Sequence, residues 1–399
     1  MVSKSLNYNF VWLMAAMMSL TALSIDAILP AMGLIRSKFY IETAEGHWII
    51  TSVFLGLSAG QVFFGPLSDT IGRKPVAYIG ICLFVIGNLI AFFATSYVLL
   101  LLGRLLQGIG ASAPRVVSQA MIRDISSGPI MAKMMSFVMT VFIVVPVLAP
   151  ILGQFVIFIA EWELIFITLS VYSISILIWL IYGQNETLKK SRSFDFKSIK
   201  RGFSEVFDNK ITLGFMLIIG VIFGGLVSFL NISQPLFQDT FKVGDKFPFY
   251  FAVTALIIGI SALINSWLVS KVHLETIVTY ALLWVWAWSG LFVFISLYFG
   301  EIELIGFMIY SIPAFATLGF LFSNVNTLAL APMGHIAGTA SATIGTSSNI
   351  LAIFIGAGTS YFFKGSPTPL IVVFFVGANA NIVALIILKQ FKLKNFRKK

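Results

Sequence analysis

Long apolar runs follow one another along almost the whole sequence, and this pattern restricts the chain to a polytopic membrane protein. Hydrophobic residues make up 58% and charged residues 11% of the 399 residues, against roughly half and a quarter in soluble proteins. A bilayer is crossed by a helix of about 20 apolar residues. The sequence therefore predicts an all-α protein of about twelve transmembrane helices, near 10–33, 45–67, 76–95, 98–122, 133–158, 162–183, 210–238, 246–270, 273–298, 303–330, 336–362 and 368–390.

One polar stretch interrupts this series and predicts the domain organisation. Residues 184–209 contain six basic residues: Lys189, Lys190, Arg192, Lys197, Lys200 and Arg201. They separate an N-terminal bundle, 1–183, from a C-terminal bundle with a basic tail, 210–399. A faint internal repeat supports two six-helix bundles, since Ser52–Lys74 and Thr254–Glu275 both pass from apolar through small to basic residues. Two such bundles are typical of transporters that work by alternating access.

The distribution of Lys and Arg predicts the orientation in the membrane. With the first helix running outward, the outer loops hold only Arg36, Lys38, Lys242, Lys246 and Lys364. The inner loops and termini hold more: Lys4, Arg73, Lys74, Arg123, Lys133, the basic residues of 184–210, Lys271 and the tail from Lys389. Positive loops stay in the cytoplasm, so we expect both termini there, in a bacterial inner membrane. This asymmetry accounts for the net charge of +10 without a nucleic-acid partner. The first apolar run has no small-residue cleavage site and is expected to be retained as a helix.

A short loop between the second and third predicted helices contains both turn formers and charges. It runs Gly-Pro-Leu-Ser-Asp-Thr-Ile-Gly-Arg-Lys over residues 65–74. Gly65, Pro66 and Gly72 favour a sharp reversal, and Arg73 and Lys74 mark the cytoplasmic side. The loop resembles, almost position for position, the signature loop of the major facilitator superfamily of secondary transporters. The resemblance implies the major facilitator fold.

Three ionisable residues lie inside the predicted helices: Asp26 in the first, and Arg104 and Arg115 in the fourth. Such groups cost at least about 2.5–3.5 kcal/mol each to insert and usually face a cavity or a partner. Asp26 lies seven residues from the predicted outer end, about 10 Å, and Arg104 lies at nearly the same depth. One interpretation is a proton carrier that exchanges between protonated and ionised forms; the other is a static ion pair that fastens two helices.

The segment around Arg104, residues 101–113, resembles the fourth-helix motif of proton-coupled facilitators, in which this Arg takes part in proton coupling. Gln107, in the same segment, is a substrate-binding candidate whose role stays open. Gly103, Gly108 and Gly110 suit close helix packing. Arg115 lies three turns further on nearly the same face, where it binds an anionic part of the substrate or pairs with structural groups.

Other segments narrow the family. Ser24–Met32, Arg123-Asp124 and Gly338–Ala342 resemble the bicyclomycin/chloramphenicol-resistance branch of drug:proton antiporters. Residues 144–154 resemble the antiporter motif of drug exporters, but Ala149 and Gln154 replace its usual glycines.

The family pattern also implies a cytoplasmic gate. It consists of Gly65, Asp69, Gly72, Arg73 and Asp124. Asp69 is expected near the start of helix eleven, where the helix dipole favours a carboxylate, and Arg73 is expected to pair with Asp124. The alternative is ordinary loop stabilisation.

Polar residues in otherwise apolar helices are further substrate-binding candidates. The strongest are Asn231, Gln234 and Asn349, together with Asp26, Gln107 and Arg115. Polar side chains of this kind avoid lipid and either bridge helices or line water. For any one of them, both roles are open.

An enzyme is not predicted. His47, His273 and His335 lie at predicted helix ends without metal-ligand spacing, no Walker-type phosphate loop occurs, and the lone Cys82 allows no disulfide framework. We expect no cofactor and no metal, and a monomer whose partners are a small-molecule substrate, protons and the lipid bilayer. The favoured function is proton-coupled export of amphiphilic drugs; the alternatives are transport of an endogenous or nutrient molecule such as a siderophore in either direction, and, more remotely, a non-transporting membrane receptor.

Overall fold

The computed structural model describes residues 8–188 and 196–396, and almost all of them are helical. Twelve segments within this part of the chain are long and apolar enough to cross a membrane, which confirms the predicted number. The basic residues Lys4, Lys189, Lys190 and Arg192 and the last residues of the tail, 397–399, lie outside the described residues.

Contacts between Cα atoms divide the chain into two compact units, residues 1–199 and 200–399, each with six of the candidate membrane segments. Unit 1 contains α1 (Tyr8–Asp26), α2 (Met32–Phe39), α3 (Thr43–Gly46), α4 (Trp48–Ile71), α5 (Arg73–Phe92), α6 (Tyr97–Ile125), α7 (Gly128–Ile159) and α8 (Leu164–Gly183). Unit 2 contains most of α9 (Phe196–Asp208), then α10 (Lys210–Gln234), α11 (Phe247–Leu268), α12 (Leu274–Phe299), α13 (Leu304–Leu330), α14 (Ala337–Phe362) and α15 (Thr368–Phe396).

The helices of the two units pair in the same order. In unit 1 the first membrane segment packs on the fifth (α1 on α7), the second on the fourth (α4 on α6) and the third on the sixth (α5 on α8). In unit 2 the corresponding pairs are α10 on α14, α11 on α13, and α12 on α15. The internal repeat that the sequence only hints at is therefore a repeat of helix packing.

Glycines bring the helices of unit 1 to backbone contact. A Cβ atom added at Gly87 of α5 would lie 2.8 Å from the carbonyl oxygen of Gly103 of α6, and one added at Gly110 would lie 2.7 Å from Cα of Phe84. Gly108 meets the backbone of Val53 in the same way. The predicted packing role of the α6 glycines is confirmed, because no larger residue fits at these crossings.

Aromatic rings fill the core of unit 2. Phe229 lies 4.6 Å from Phe315 and 5.5 Å from Phe251, measured between ring centroids. Phe237 contacts four further rings in the same unit, those of Phe241, Phe247, Tyr250 and Phe307. Ring pairs at these distances add to the energy of apolar burial. Side chains thus supply much of the packing in unit 2, beside a backbone contact at Gly319 of α13 against α11.

Three predicted boundaries change in ways that affect the site. The first membrane segment extends to Phe39 instead of residue 33, and it is broken after Asp26. The second helix continues to Ile71, with Pro66 inside it, so residues 65–71 are not a loop. The interbundle linker contains the helix α9, which is strongly amphipathic and was not predicted.

Candidate functional site

Asp26 is the last residue of α1, at a break in the first membrane segment. Pro30 follows in a short 3₁₀ turn, Leu29–Ala31, and a proline has no N–H group to continue the helical hydrogen bonds. The break is held against α7, where Gly153 lies against the backbone of Ala27 without room for a side chain. Asp26 is thirteen residues before Phe39, where the first candidate membrane segment ends, instead of seven before the predicted end at residue 33.

The Asp26 side chain is only 5% exposed. It forms no hydrogen bond or ion pair with any described residue. Buried carboxylates normally have a hydrogen-bonding or charged partner, so an unpartnered one at membrane depth points to function rather than to packing.

Arg104, in α6, is fully buried and binds the broken end of α1. Its Nη1 atom donates to the carbonyl oxygen of Ser24 over 2.7 Å, and its Nε atom donates to that of Ile49 in α4 over 3.2 Å. The Ser24 carbonyl is free to accept because the helix ends two residues later. A cation at a helix C-terminus is also favoured by the helix dipole. Arg104 thereby joins three helices, while its Nη2 atom has no hydrogen-bond partner.

A second buried contact continues from Arg104 to α5. Arg104 Nη1 also donates to Oε1 of Gln107, and Nε2 of Gln107 donates to Oδ1 of Asn88 over 2.5 Å. Gln107 and Asn88 are fully buried, and Nδ2 of Asn88 has no partner. Sequence reasoning missed Asn88, although an Asn in an apolar helix is itself a signal. Both ends of the Gln107 amide are engaged, which favours a positioning role over the predicted contact with substrate.

Asp26 and Arg104 share a level in unit 1 without forming an ion pair. Arg104 contacts the Ser24 backbone carbonyl, two residues before Asp26, and no described hydrogen bond or ion pair joins it to the Asp26 carboxylate. The static ion pair considered for these residues is thus absent from the described contacts, whereas the carboxylate and the Nη2 atom each lack a partner.

Arg115 lies further along α6 and is half-buried. Its guanidinium carbon is 5.7 Å from the ring centroid of Phe142 in α7, a cation–π distance, and it forms no ion pair with the described residues. This contact fits either interpretation of Arg115, as an anion-binding group or as a structural one.

The gate candidates cluster where α4 meets α5. We name Gly72, Arg73 and Lys74 the basic turn. The Nε atom of Arg73 donates to Oδ2 of Asp124 over 2.9 Å, and its Nη1 atom donates to Oδ1 of Asp69 over 2.6 Å. The predicted pair of Arg73 with Asp124 is therefore confirmed. The proximity of Asp69 to helix eleven stays a prediction.

The reversal between α4 and α5 is made by Gly72 alone. Its φ of +110° and ψ of 156° are open to glycine and strained for other residues. The sequence assigned Gly65 to the same turn, and that assignment is wrong. Gly65 lies within α4, and a Cβ atom added there would make only an ordinary contact, 3.8 Å, with Val116.

Glu186, just after α8, was also missed. Its carboxylate accepts the backbone N–H groups of Arg73 over 3.0 Å and Lys74 over 2.9 Å. Sequence reasoning treated residues 184–209 only as a linker, because a carboxylate that binds backbone groups distant in sequence leaves no local pattern.

The candidates of unit 2 are neutral. Asn231 is 4% exposed, and neither end of its amide has a hydrogen-bond partner. Gln234 is buried and donates to Gln238 over 2.8 Å. Asn349 is half-buried in α14. The membrane helices of unit 2 carry Asp, Glu, Lys and Arg only near their ends, so the buried charges of the described helices lie in unit 1.

Comparison with known proteins decides the family. A family model described as Major Facilitator Superfamily matches residues 14–357. The chain belongs to the major facilitator superfamily. It is therefore a multi-pass membrane transporter of small molecules and not an enzyme.

Curated relatives and solved structures agree with this assignment. The chain is 26% identical over 362 residues to the bicyclomycin resistance protein homolog of Haemophilus influenzae, with 88% of each chain covered. It is 29% identical over 252 residues to the multidrug resistance protein MdtL of Shigella dysenteriae, with 63% of each covered. The crystal structure of a D-xylose-proton symporter matches with a TM-score of 0.76 at 14% identity, covering 96% of this chain and 97% of the other; this likeness concerns the fold alone.

Proposed function

We propose that this major facilitator is a proton-coupled antiporter that exports amphiphilic small molecules from the bacterial cytoplasm. The observation that carries the proposal is the state of Asp26, a buried carboxyl group at a helix break with no partner among the described residues. Arg104 binds the carbonyl of Ser24, two residues before Asp26, and its Nη2 atom also has no partner. Each group can therefore form a further hydrogen bond or ion pair.

In this proposal Asp26 carries the proton. Burial in an apolar environment favours the neutral carboxyl group, whereas a nearby guanidinium favours the carboxylate. A small rotation about the break after Asp26 would bring the carboxylate toward the free Nη2 atom of Arg104 and release the proton. When the site opens to the more acidic outside, the carboxyl group is protonated again and leaves Nη2, while Arg104 keeps its bonds to Ser24, Ile49 and Gln107.

The remaining polar groups of the network act on Arg104 and not on substrate. Asn88 accepts from Gln107, and this leaves Oε1 of Gln107 directed at Arg104. Asn231 in unit 2, with both ends of its amide unpaired, is the group we assign to a polar part of the substrate. Gln234, Asn349 and Arg115 are weaker candidates for the same role.

The direction of transport rests on the relatives. Two of them are named for drug resistance, a bicyclomycin resistance protein homolog and a multidrug resistance protein, and resistance of this kind results from export. The excess of Lys and Arg in the interbundle stretch and the tail supports an inner-membrane protein with both termini in the cytoplasm.

Transport measurements on Asp26→Asn test the proposal. The full chain is reconstituted in liposomes with an imposed pH gradient, and the flux of bicyclomycin and of amphiphilic fluorescent dyes is followed. We expect gradient-driven flux of Asp26→Asn to fall at least about a hundredfold, because a neutral amide cannot exchange a proton. Asp208→Asn, which removes an exposed carboxylate at the end of α9, is the matched control and retains flux.

Two results would overturn the proposal. Undiminished gradient-driven flux in Asp26→Asn removes the residue from proton coupling. Equal flux of the wild-type chain with and without the pH gradient removes proton coupling altogether. Thermal unfolding in detergent is measured for Asp26→Asn and for the wild type, so that a change in flux is assigned to transport only when the variant is folded.

A further inference from the structure

The first residues after α8 are bonded to the basic turn, although more than 100 residues separate them in sequence. Gly72, the residue before α5, provides no side-chain cap for that helix. The carboxylate of Glu186 takes this place, since it accepts the first two N–H groups of α5, those of Arg73 and Lys74. A carboxylate at a helix N-terminus satisfies unpaired donors and interacts favourably with the helix dipole.

The contact is reciprocated at the other helix end. The Lys74 ammonium group donates to the carbonyl oxygen of Gln184 over 2.6 Å and to that of Ile181 over 3.2 Å, at the C-terminus of α8. An ammonium group there satisfies carbonyls that the helix leaves unpaired. A carboxylate that follows α8 thus binds the start of α5, and an ammonium group from the start of α5 binds the end of α8.

A third bond reaches the ion pair of the gate. The hydroxyl group of Thr187 donates to Oδ2 of Asp124 over 3.1 Å, and the same oxygen accepts Nε of Arg73. Glu186 also accepts the N–H groups of Thr187 and Leu188, both over 2.8 Å. The Glu186 carboxylate therefore binds backbone N–H groups of its own segment and of the basic turn at the same time.

Glu186 keeps its charge under these conditions. Partial burial by itself would raise the pKa of Glu186, but the four backbone N–H donors outweigh burial and hold the pKa below its ordinary value. The carboxylate is therefore ionised at neutral pH, and protonation does not break its bonds to the basic turn.

We propose that Glu186 is a positioning residue of the gate, which fixes the basic turn so that Arg73 reaches Asp124. In consequence residues 184–188, where the interbundle linker begins, move as one body with the basic turn. When the linker moves during a transport cycle, the basic turn then moves with it, and the ion pair of Arg73 with Asp124 is displaced. The link to transport rests on the proposed function, whereas the positioning itself does not.

Amide hydrogen exchange tests the positioning without substrate or gradient. In the full chain in lipid nanodiscs, we expect Glu186→Gln to speed exchange at Arg73 and Lys74 about tenfold, together with Thr187 and Leu188. An amide side chain offers one acceptor oxygen in place of two, so at least one backbone donor loses its partner. Glu161→Gln is the matched control, because it removes an exposed carboxylate at the start of the α8 region and leaves these amides unchanged.

A second variant separates geometry from charge. Glu186→Asp keeps the negative charge but shortens the side chain by one methylene group. We expect it to speed exchange at Arg73 and Lys74 as Glu186→Gln does, because the donors are held by hydrogen bonds of defined length. Exchange at wild-type rates in Glu186→Asp would mean that charge alone is sufficient, and would overturn the positioning role.

Two further outcomes decide the remaining claims. If Glu186→Gln speeds exchange only at Thr187 and Leu188, Glu186 merely caps its own segment and the proposal is wrong. If exchange rises at the basic turn while pH-driven dye flux keeps its kcat, the turn is positioned but does not serve the gate. Failure of the antiport hypothesis is measured separately, by Asp26→Asn, and does not affect the exchange result.

Discussion

The two units repeat one packing order of helices but are stabilised by different interactions. Unit 1 brings backbones together at many glycines, where the described part of unit 2 does so chiefly at Gly319. Unit 1 also buries charged groups, among them Arg104, which is fully buried and donates to two backbone carbonyls. Unit 2 packs rings around Phe229 and Phe237 and pairs neutral amides, as between Asn265 and Asn324. A repeated fold therefore does not require repeated chemistry.

The difference has a physical consequence for function. Buried ionisable groups are costly in a membrane, and a rigid frame of backbone contacts limits the ways in which they can relax. Aromatic side chains can adjust their rotamers and offer apolar surface to ligands of different shape. Under the proposed antiport function, this difference assigns the proton chemistry to unit 1 and more of the substrate accommodation to unit 2.

The largest expected effect concerns the backbone contacts of unit 1. Gly87→Ala would place a methyl group 2.8 Å from the Gly103 carbonyl oxygen, and only separation of α5 from α6 relieves this overlap. We expect a loss of about 3 kcal/mol in the free energy of unfolding, measured in mixed micelles. Gly214→Ala in unit 2 is the matched control, with less than about 1 kcal/mol expected, because its new methyl group meets only the side chain of Leu388, which can rotate away, and no backbone atom.

Equal losses at Gly87 and Gly214 would contradict the proposed difference between the units, since both variants make the same chemical change.

Arg104→Lys tests the buried charge while keeping it. Lysine lacks the planar fork that serves Ser24, Ile49 and Gln107 together. At least one buried acceptor loses its partner, at a cost of about 1–3 kcal/mol, and pH-driven flux falls with it. A variant as stable and as active as the wild type would show that the geometry of the guanidinium group is unimportant.

The amide pair of unit 2 is expected to behave differently, because it carries no charge. Asn265 and Asn324 donate to each other over 3.2 and 2.8 Å. Asn265→Leu leaves one amide unpaired and costs about 1 kcal/mol. The double variant, with Asn324→Leu added, should recover most of this loss, since both polar groups are then gone.

A double-mutant cycle of unfolding free energies measures that recovery. Strictly additive losses would mean that the two amides do not act as a pair. The proposed difference between this neutral pair and the buried charge of Arg104 would then be weakened.

The smallest expected effect is the pH dependence of the Glu186 contact. The pKa of Glu186 is lowered in the folded state, so its stabilisation is present above the ordinary value of 4.5 and is lost as the pH falls through the folded value below it. The difference in Tm between the wild type and Glu186→Gln should be constant at neutral pH and vanish in acid. A difference that grows as the pH falls would contradict this sign.

Much of the fold could be predicted, because membrane helices are recognised by length and apolar composition. The number of helices and the packing glycines followed from local patterns, as did the pair of Arg73 and Asp124 from family resemblance. Helix ends were less certain. The reversal at Gly72 was predicted as a loop from residue 65, since Pro66 signals a turn in a sequence and yet is tolerated inside a membrane helix.

The site was predictable only in part. Asp26 and Arg104 were identified because charges in apolar runs are rare, but the helix break at Asp26 and the partners of Arg104 were not. Asn88 and Glu186 were missed, because each acts through a residue distant in sequence.

What the sequence determined by itself was the membrane class, the twelve spans, the family and the identity of the charged groups within the helices. These depend on the free energy of placing each residue type in lipid, which is a local property. Tertiary structure alone decided that Arg104 binds the broken end of α1 and leaves Asp26 unpaired, and that Glu186 caps a helix more than 100 residues away. Hydrogen bonds of this kind depend on the position and direction of two atoms, and only the packed helices set both.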